Sequence, residues 1–186
     1  MTPAASVGGR DRPRLFLALV LPPEAVRTLV AWQIGVFVDV GDVRIVPPTN
    51  LHVTLAFLGH RPAEDVDPIV AALRAVAPAA RRPALSVARY RETRSVGMLA
   101  LDDADGHASS LADAVQGRLV ALGVYEREQR RWLAHLTVLR FRRPPSLAPP
   151  LPDLGVFSPS EVAVYHSVLR PTGAQYEVVE SVPLGS

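Results

Sequence analysis

The sequence predicts a mixed fold of strands and helices that contains a duplicated unit, and three observations lead there. Apolar residues switch repeatedly between alternate spacing and helical spacing along the chain. The pattern His-x-Thr occurs twice, at His52 and at His135, each time inside an apolar run. Displacing the sequence by the 83 residues that separate these histidines also lays Phe16 on Leu99, and residues 24–30 on residues 107–113. Each half then reads strand, helix, His-x-Thr strand, the mark of an internal repeat.

Taken in order, residues 15–20 form a buried strand that stops at Pro22-Pro23. Glu24 follows the prolines and starts a helix, whose apolar positions Val26, Leu29, Val30 and Ile34 recur at helical spacing. Gly41-Asp42 breaks that pattern, Pro47-Pro48 makes a rigid approach, and residues 51–58 are a second strand ending at Gly59. Residues 64–76 carry Val66, Ile69, Val70, Leu73 and Val76 on one side of an amphipathic helix. Strands are expected at 85–90 and 96–101 with an arginine-bearing turn between them, then a helix over 107–122 and a strand over 132–141. The proline-rich stretch 144–152 is a surface connection. Two β-rich runs, 161–169 and 176–182, flank Pro171-Thr172-Gly173, a hairpin signal.

Composition narrows the functional classes. With 186 residues and 48% hydrophobic residues the chain can bury a real core as one domain, residues 14–186, behind a loose tail over 1–13. No apolar run is long enough to span a bilayer, and the first residues lack the apolar segment of a secretory signal, so a cytoplasmic monomer without membrane partners is the default expectation. The absence of cysteine excludes disulfides, thiolate metal ligands and a cysteine nucleophile. All 20 Lys-plus-Arg residues are arginine, clustered over 81–94 and 127–143. A planar guanidinium holds phosphate oxygens in pairs, so these clusters suit a polyanion although the net charge is only +2. A GC-rich coding sequence would also replace lysine throughout.

The two repeated sites carry the chemistry. In residues 51–57 (LHVTLAF) alternation sends Leu51, Val53, Leu55 and Phe57 to a core, and His52 with Thr54 to the other face. Around the second site Leu136 and Val138 are core residues, while His135 and Thr137 share the opposite face. One such pattern is ordinary in a strand; two at matching places in similar halves are a signal. Hydrolysis of a phosphodiester without a metal needs a base for water and an acid for the departing oxygen, and two imidazoles supply both near neutral pH. Threonine hydroxyls can donate to the non-bridging phosphate oxygens. A metal centre is disfavoured, with no HExxH motif and no carboxylate cluster beside either histidine, and no G-x-S-x-G element suggests a serine nucleophile. His60, His107 and His166 lack a threonine two residues on and are expected to be structural.

Several blocks resemble one family: residues 14–19 before Pro22-Pro23, 44–59 (RIVPPTNLHVTLAFLG), 131–140 (RWLAHLTVLR) and 164–169 with 173–176. They are similar to the two-histidine phosphoesterase superfamily and, within it, to the bacterial RNA 2',3'-cyclic phosphodiesterases, also called 2'-5' RNA ligases. The resemblance implies a bilobal α+β fold: two antiparallel β-sheets with outer helices, flanking a central cleft in which the two His-x-Thr strands face each other. It also implies cofactor-free hydrolysis of a 2',3'-cyclic phosphate, on an RNA end or a small cyclic nucleotide, to a 2'-phosphomonoester. His52 would be the proton donor and His135 the proton acceptor, with Thr54 and Thr137 holding the phosphate. The family's second site commonly reads P-H-x-T, whereas Ala134 stands before His135 here. Arg140 matches a family arginine placed to assist with phosphate, but strict alternation from His135 puts it on the opposite face, so it needs a bulge or another route into the cleft, or else it is a surface arginine that supports solubility. Two other readings use the same residues: joining or cleaving 2'-5' linkages, and a silent RNA-binding module.

Overall fold

A computed structural model describes residues 12–171 and 173–186; nearly all of the 1–13 tail lies outside the described residues. The described residues form eight strands and three helices, which follow the expected order apart from the added strand β2 (β1 Arg14–Val20, α1 Pro23–Phe37, β2 Val43–Ile45, β3 His52–His60, α2 Val66–Val76, β4 Leu85–Glu92, β5 Val96–Asp103, α3 His107–Ala121, β6 His135–Phe141, β7 Glu161–Arg170, β8 Gly173–Pro183). The repeat is visible in these bounds. Shifted by 83, β1 falls on the last seven residues of β5, α1 comes within one residue of α3 at each end, and β3 starts where β6 starts.

The fold is α+β and its strand pairing is antiparallel. The strands form two groups, β3-β1-β7-β8 and β4-β5-β6, with β2 lying along β6. Where two sheets were expected, the groups touch through one register pair, Val53 with Leu136, and so join into one continuous eight-stranded sheet. Both repeats exchange parts. β4, which follows the first repeat, pairs with β5 of the second, and β7, which follows the second, pairs with β1 of the first.

The helices bury stripes against this sheet. On α1 the buried positions are Ala25, Leu29, Gln33 and Phe37, while Ile34 is 55% exposed, so the apolar side lies one residue from the Val26–Ile34 reading. Of the corresponding residues on α3, Ala108, Ala112 and Gln116 are buried, whereas Val120, opposite Phe37 in the repeat, is exposed. Helix α2 buries Ile69, Val70 and Leu73 as its spacing required. The core runs beneath both groups, from Leu17, Leu19, Val53 and Leu55 to Leu99, Leu136, Val138 and Leu139. Strand β6 begins at His135, not at Trp132, because its ladder with β5 starts at the pair His135–Ala100. The β2 strand, three residues long, carries too little pattern to be read from sequence.

Candidate active site

Both His-x-Thr strands carry a β-bulge three residues after the histidine. On β3 the ladder to β1 passes from Thr54 (opposite Ala18) to Ala56 (opposite Leu17), leaving Leu55 extra. On β6 the ladder to β5 passes from Thr137 (opposite Met98) to Leu139 (opposite Gly97), leaving Val138 extra. An extra residue reverses the alternation of side chains. Two successive residues therefore face the core, Leu55 with Ala56 and Val138 with Leu139, and the next returns to the cleft. That next residue is Phe57 in one repeat and Arg140 in the other. Phe57, expected in the core, is 49% exposed and lines the cleft. Arg140 reaches the same cleft, and of the two routes left open it takes the bulge.

A bulge disrupts the ladder and leaves backbone groups in need of partners. Here two buried glutamines supply donors, and on β6 the Val46 amide also donates to the Val138 carbonyl at 3.0 Å. Gln116 on α3 donates from Nε2 to the Leu55 carbonyl at 2.8 Å, and Gln33 on α1 donates to the Val138 carbonyl at 2.9 Å and the Val46 carbonyl at 3.2 Å. Gln33 and Gln116 are equivalent under the 83-residue shift, as are Val138 and Leu55. The helix of each repeat thus holds the bulge of the other repeat's strand. Sequence reasoning missed both glutamines, although Ala25-Leu29-Gln33 aligned with Ala108-Ala112-Gln116 was there to be found.

The histidines are oriented by one repeated device. His52 Nδ1 lies 2.8 Å from the Asn50 carbonyl, and His135 Nδ1 lies 2.9 Å from the Leu133 carbonyl. A carbonyl only accepts, so each Nδ1 carries the hydrogen and each Nε2 is left free for chemistry. Asn50 is itself anchored, its amide donating to the Ala174 carbonyl at 2.8 Å. The His52 ring packs among Phe16 (centroids 4.8 Å apart), Tyr176 (5.4 Å, edge-on) and Tyr165 (6.2 Å). That burial pulls its pKa from 6.5 down to about 4, with the nearby charges of His135 and Arg140 acting in the same direction and the Asn50 carbonyl opposing them. His52 is therefore neutral in the empty cleft at pH 7. The Trp132 indole donates to the Thr54 carbonyl at 3.0 Å and fixes the strand between histidine and threonine.

His52, Thr54, Thr137 and Arg140 line one cavity of about 400 Å³. His135 does not border this cavity; it lies two residues before Thr137 on the same strand face. Among the described residues neither threonine hydroxyl is engaged in a side-chain hydrogen bond. The cavity also gathers Arg14, Arg44 and Arg170 and has no carboxylate in its lining, so it is built for an anion. The Arg14 guanidinium sits 4.8 Å above the exposed Phe57 ring. The other histidines lie elsewhere: His60 Nδ1 contacts the Arg12 carbonyl, His107 lies beside Asp105, and His166 is 3.9 Å from Glu177. Among the described residues no three His, Asp or Glu side chains are grouped as a metal site requires.

Residues 20–93 match the family described as LigT like Phosphoesterase. An RNA 2',3'-cyclic phosphodiesterase of Thermus thermophilus is 30% identical over 188 aligned residues, covering 92% of this chain and 90% of that protein. Among solved structures, ligand-free E. coli LigT superposes with a TM-score of 0.81 at 22% identity, covering 95% of this chain and 100% of its own. A solved Thermus thermophilus protein gives 0.74 at 26% identity, covering 92% and 97%. Sequence kinship over nearly the whole length, on a fold this close to LigT, makes the chain a member of the LigT-like, two-histidine phosphoesterase family.

Proposed function

We propose that this phosphoesterase opens the 2',3'-cyclic phosphate at an RNA end to a 2'-phosphomonoester, without a metal, using His52 as proton donor and His135 as proton acceptor. The observation that carries the reading is the pair of imidazoles tied through Nδ1 to the carbonyl two residues back, each followed by a threonine on the same face. His135 Nε2 takes a proton from water as its oxygen attacks phosphorus. The bond from phosphorus to O3' breaks, and His52 Nε2–H delivers a proton to O3', leaving the phosphate on O2'. Thr54 and Thr137 hydroxyls donate to the non-bridging oxygens, and Arg140 balances their charge.

The low proton affinity of His52 has to be overcome for it to act as a donor. Falling from 6.5 to about 4 corresponds to at most about 3 kcal/mol against the protonated ring. An anionic phosphate ~4 Å from the ring contributes about 4 kcal/mol in the opposite sense at an effective dielectric near 20. Substrate therefore brings the charge that loads its own acid. The same low value favours a second assignment in which His52 is the base and His135 the acid; under it His52 would stay neutral when the phosphate binds.

The reaction is tested with an oligoribonucleotide ending in a 2',3'-cyclic phosphate, incubated in EDTA with the protein and with its His52→Ala and His135→Ala variants. A 2'-phosphate made by the unchanged protein alone is the expected result. A 3'-phosphate product, or activity lost on chelation, would overturn the assignment. Each variant is expected to lose about 10²- to 10⁴-fold in rate, the usual contribution of one general acid or base.

A further inference from the structure

The arginine surface does not end with the catalytic cavity. Arg44 on β2 and Arg140 on β6 are direct register partners, and both also line a second cavity of about 710 Å³ next to the first. Arg142 and Arg143 extend this second cavity, and Asp42 is the one carboxylate in its lining. Four guanidinium groups against one carboxylate leave it strongly positive.

The pairing of Arg44 with Arg140 across the ladder and the cavity they share with Arg142 and Arg143 set these arginines apart from the rest. Like charges facing each other across a ladder destabilise it, so the Arg44–Arg140 pair costs the empty protein something that a bound anion would return. Among the described residues Arg44, Arg140, Arg142 and Arg143, like most of the other arginines, form no salt bridge, so nothing neutralises them where they converge on this cavity. They are left for a ligand with several separate anionic groups.

Resting on the reading of the first cavity as the cyclic-phosphate site, we propose that the second cavity is a subsite for the preceding phosphodiesters of a polynucleotide. The pair Arg44 and Arg140 lies at the junction: one side serves the terminal phosphate, the other the next phosphate along the strand, and Arg142 and Arg143 continue the track. A cyclic mononucleotide fills only the first cavity. An RNA strand engages both, so strand ends, not free cyclic nucleotides, are the preferred substrates. Phosphate contacts of this kind are independent of sequence and show themselves in salt dependence.

The test compares 2',3'-cyclic AMP with an eight-nucleotide RNA ending in a 2',3'-cyclic phosphate, in the unchanged protein and in Arg142→Ala/Arg143→Ala. Both side chains are exposed, so the variant is expected to fold, which an unchanged melting temperature would verify. For the oligonucleotide, kcat/KM should fall about tenfold or more, and the slope of log kcat/KM against log salt should shrink by about 1–2. For cyclic AMP neither should change. Equal losses on both substrates, or no loss on the oligonucleotide, would overturn the proposal. Fluorescence anisotropy with a 3'-phosphorylated eight-nucleotide RNA and with 3'-AMP separates the subsite from the reaction. Tighter binding of the oligonucleotide that depends on Arg142 and Arg143 supports the subsite even if neither cyclic substrate is hydrolysed. Turnover of both cyclic substrates with equal kcat/KM removes the subsite and leaves the reaction standing.

Discussion

Replacing Gln33 with methionine keeps the length and flexibility of the side chain and removes its two donors. Gln33 is 1% exposed, so no solvent can replace them. The Val138 carbonyl would keep its second partner, the Val46 amide at 3.0 Å, but the Val46 carbonyl would lose the Gln33 amide at 3.2 Å. One hydrogen bond lost with a partner still in place costs about 1 kcal/mol, and a buried carbonyl stripped of its donor about 1–3 kcal/mol. A destabilisation of about 2–4 kcal/mol is expected, read as a lower urea midpoint at unchanged m. Activity gives a sharper reading, because the Val138 bulge is what turns Arg140 into the cleft. Gln33→Met should raise KM for the phosphate substrate, and combined with Arg140→Ala it should add little to the loss from Arg140→Ala alone. A stability change within about 0.5 kcal/mol, or fully additive losses in kcat/KM, would refute the idea that Gln33 holds this bulge in place.

Other outcomes follow from the same structure. The folded His52 has its pKa at about 4 against 6.5 unfolded, so between those values the unfolded chain binds the extra proton and stability falls as pH drops; urea titrations at pH 7 and pH 4 should differ by up to about 3 kcal/mol more in the unchanged protein than in His52→Gln. Adding inorganic phosphate should move the NMR titration of His52 upward from about 4, whereas no movement would remove the substrate-loading argument and favour His52 as the base. Gly97→Ala would drive a methyl into the Tyr90 ring and hydroxyl, which hydrogen-bonds Glu92 at 3.2 Å, and a loss of about 1–3 kcal/mol measured by thermal melting is expected.

Alternation and repeat spacing made His52, Thr54, His135 and Thr137 legible, because those positions lie before each bulge, where period two still holds. Beyond it the same rule sent Phe57 to the core and Arg140 away from the cleft. A bulge depends on which residues face each other across the ladder, and a single strand's pattern carries no trace of that. The glutamines were overlooked for a related reason. A polar residue inside a helical stripe reads as a break in it until the carbonyl it serves, more than 60 residues away, is known. The division into two groups of strands was legible through the repeat, but their fusion rests on one pair, Val53 with Leu136, which no spacing rule encodes.

The exchange of parts between the repeats bears on how the chain acquires its structure. Strand β1 lies between β3 and β7, and Leu17 meets Val164. Helix α1 is secured to β6, and α3 to β3. Neither repeat is therefore a folding unit, even though each is a unit of sequence. A nascent chain released only through residue 93 would have one edge of β1 unpaired and α1 without the strand it grips, and it should stay collapsed and prone to association until β7 is made. Pairings this distant close late and slowly. Each half lacks partners that only the other supplies, so the two halves are expected to reach the native state together.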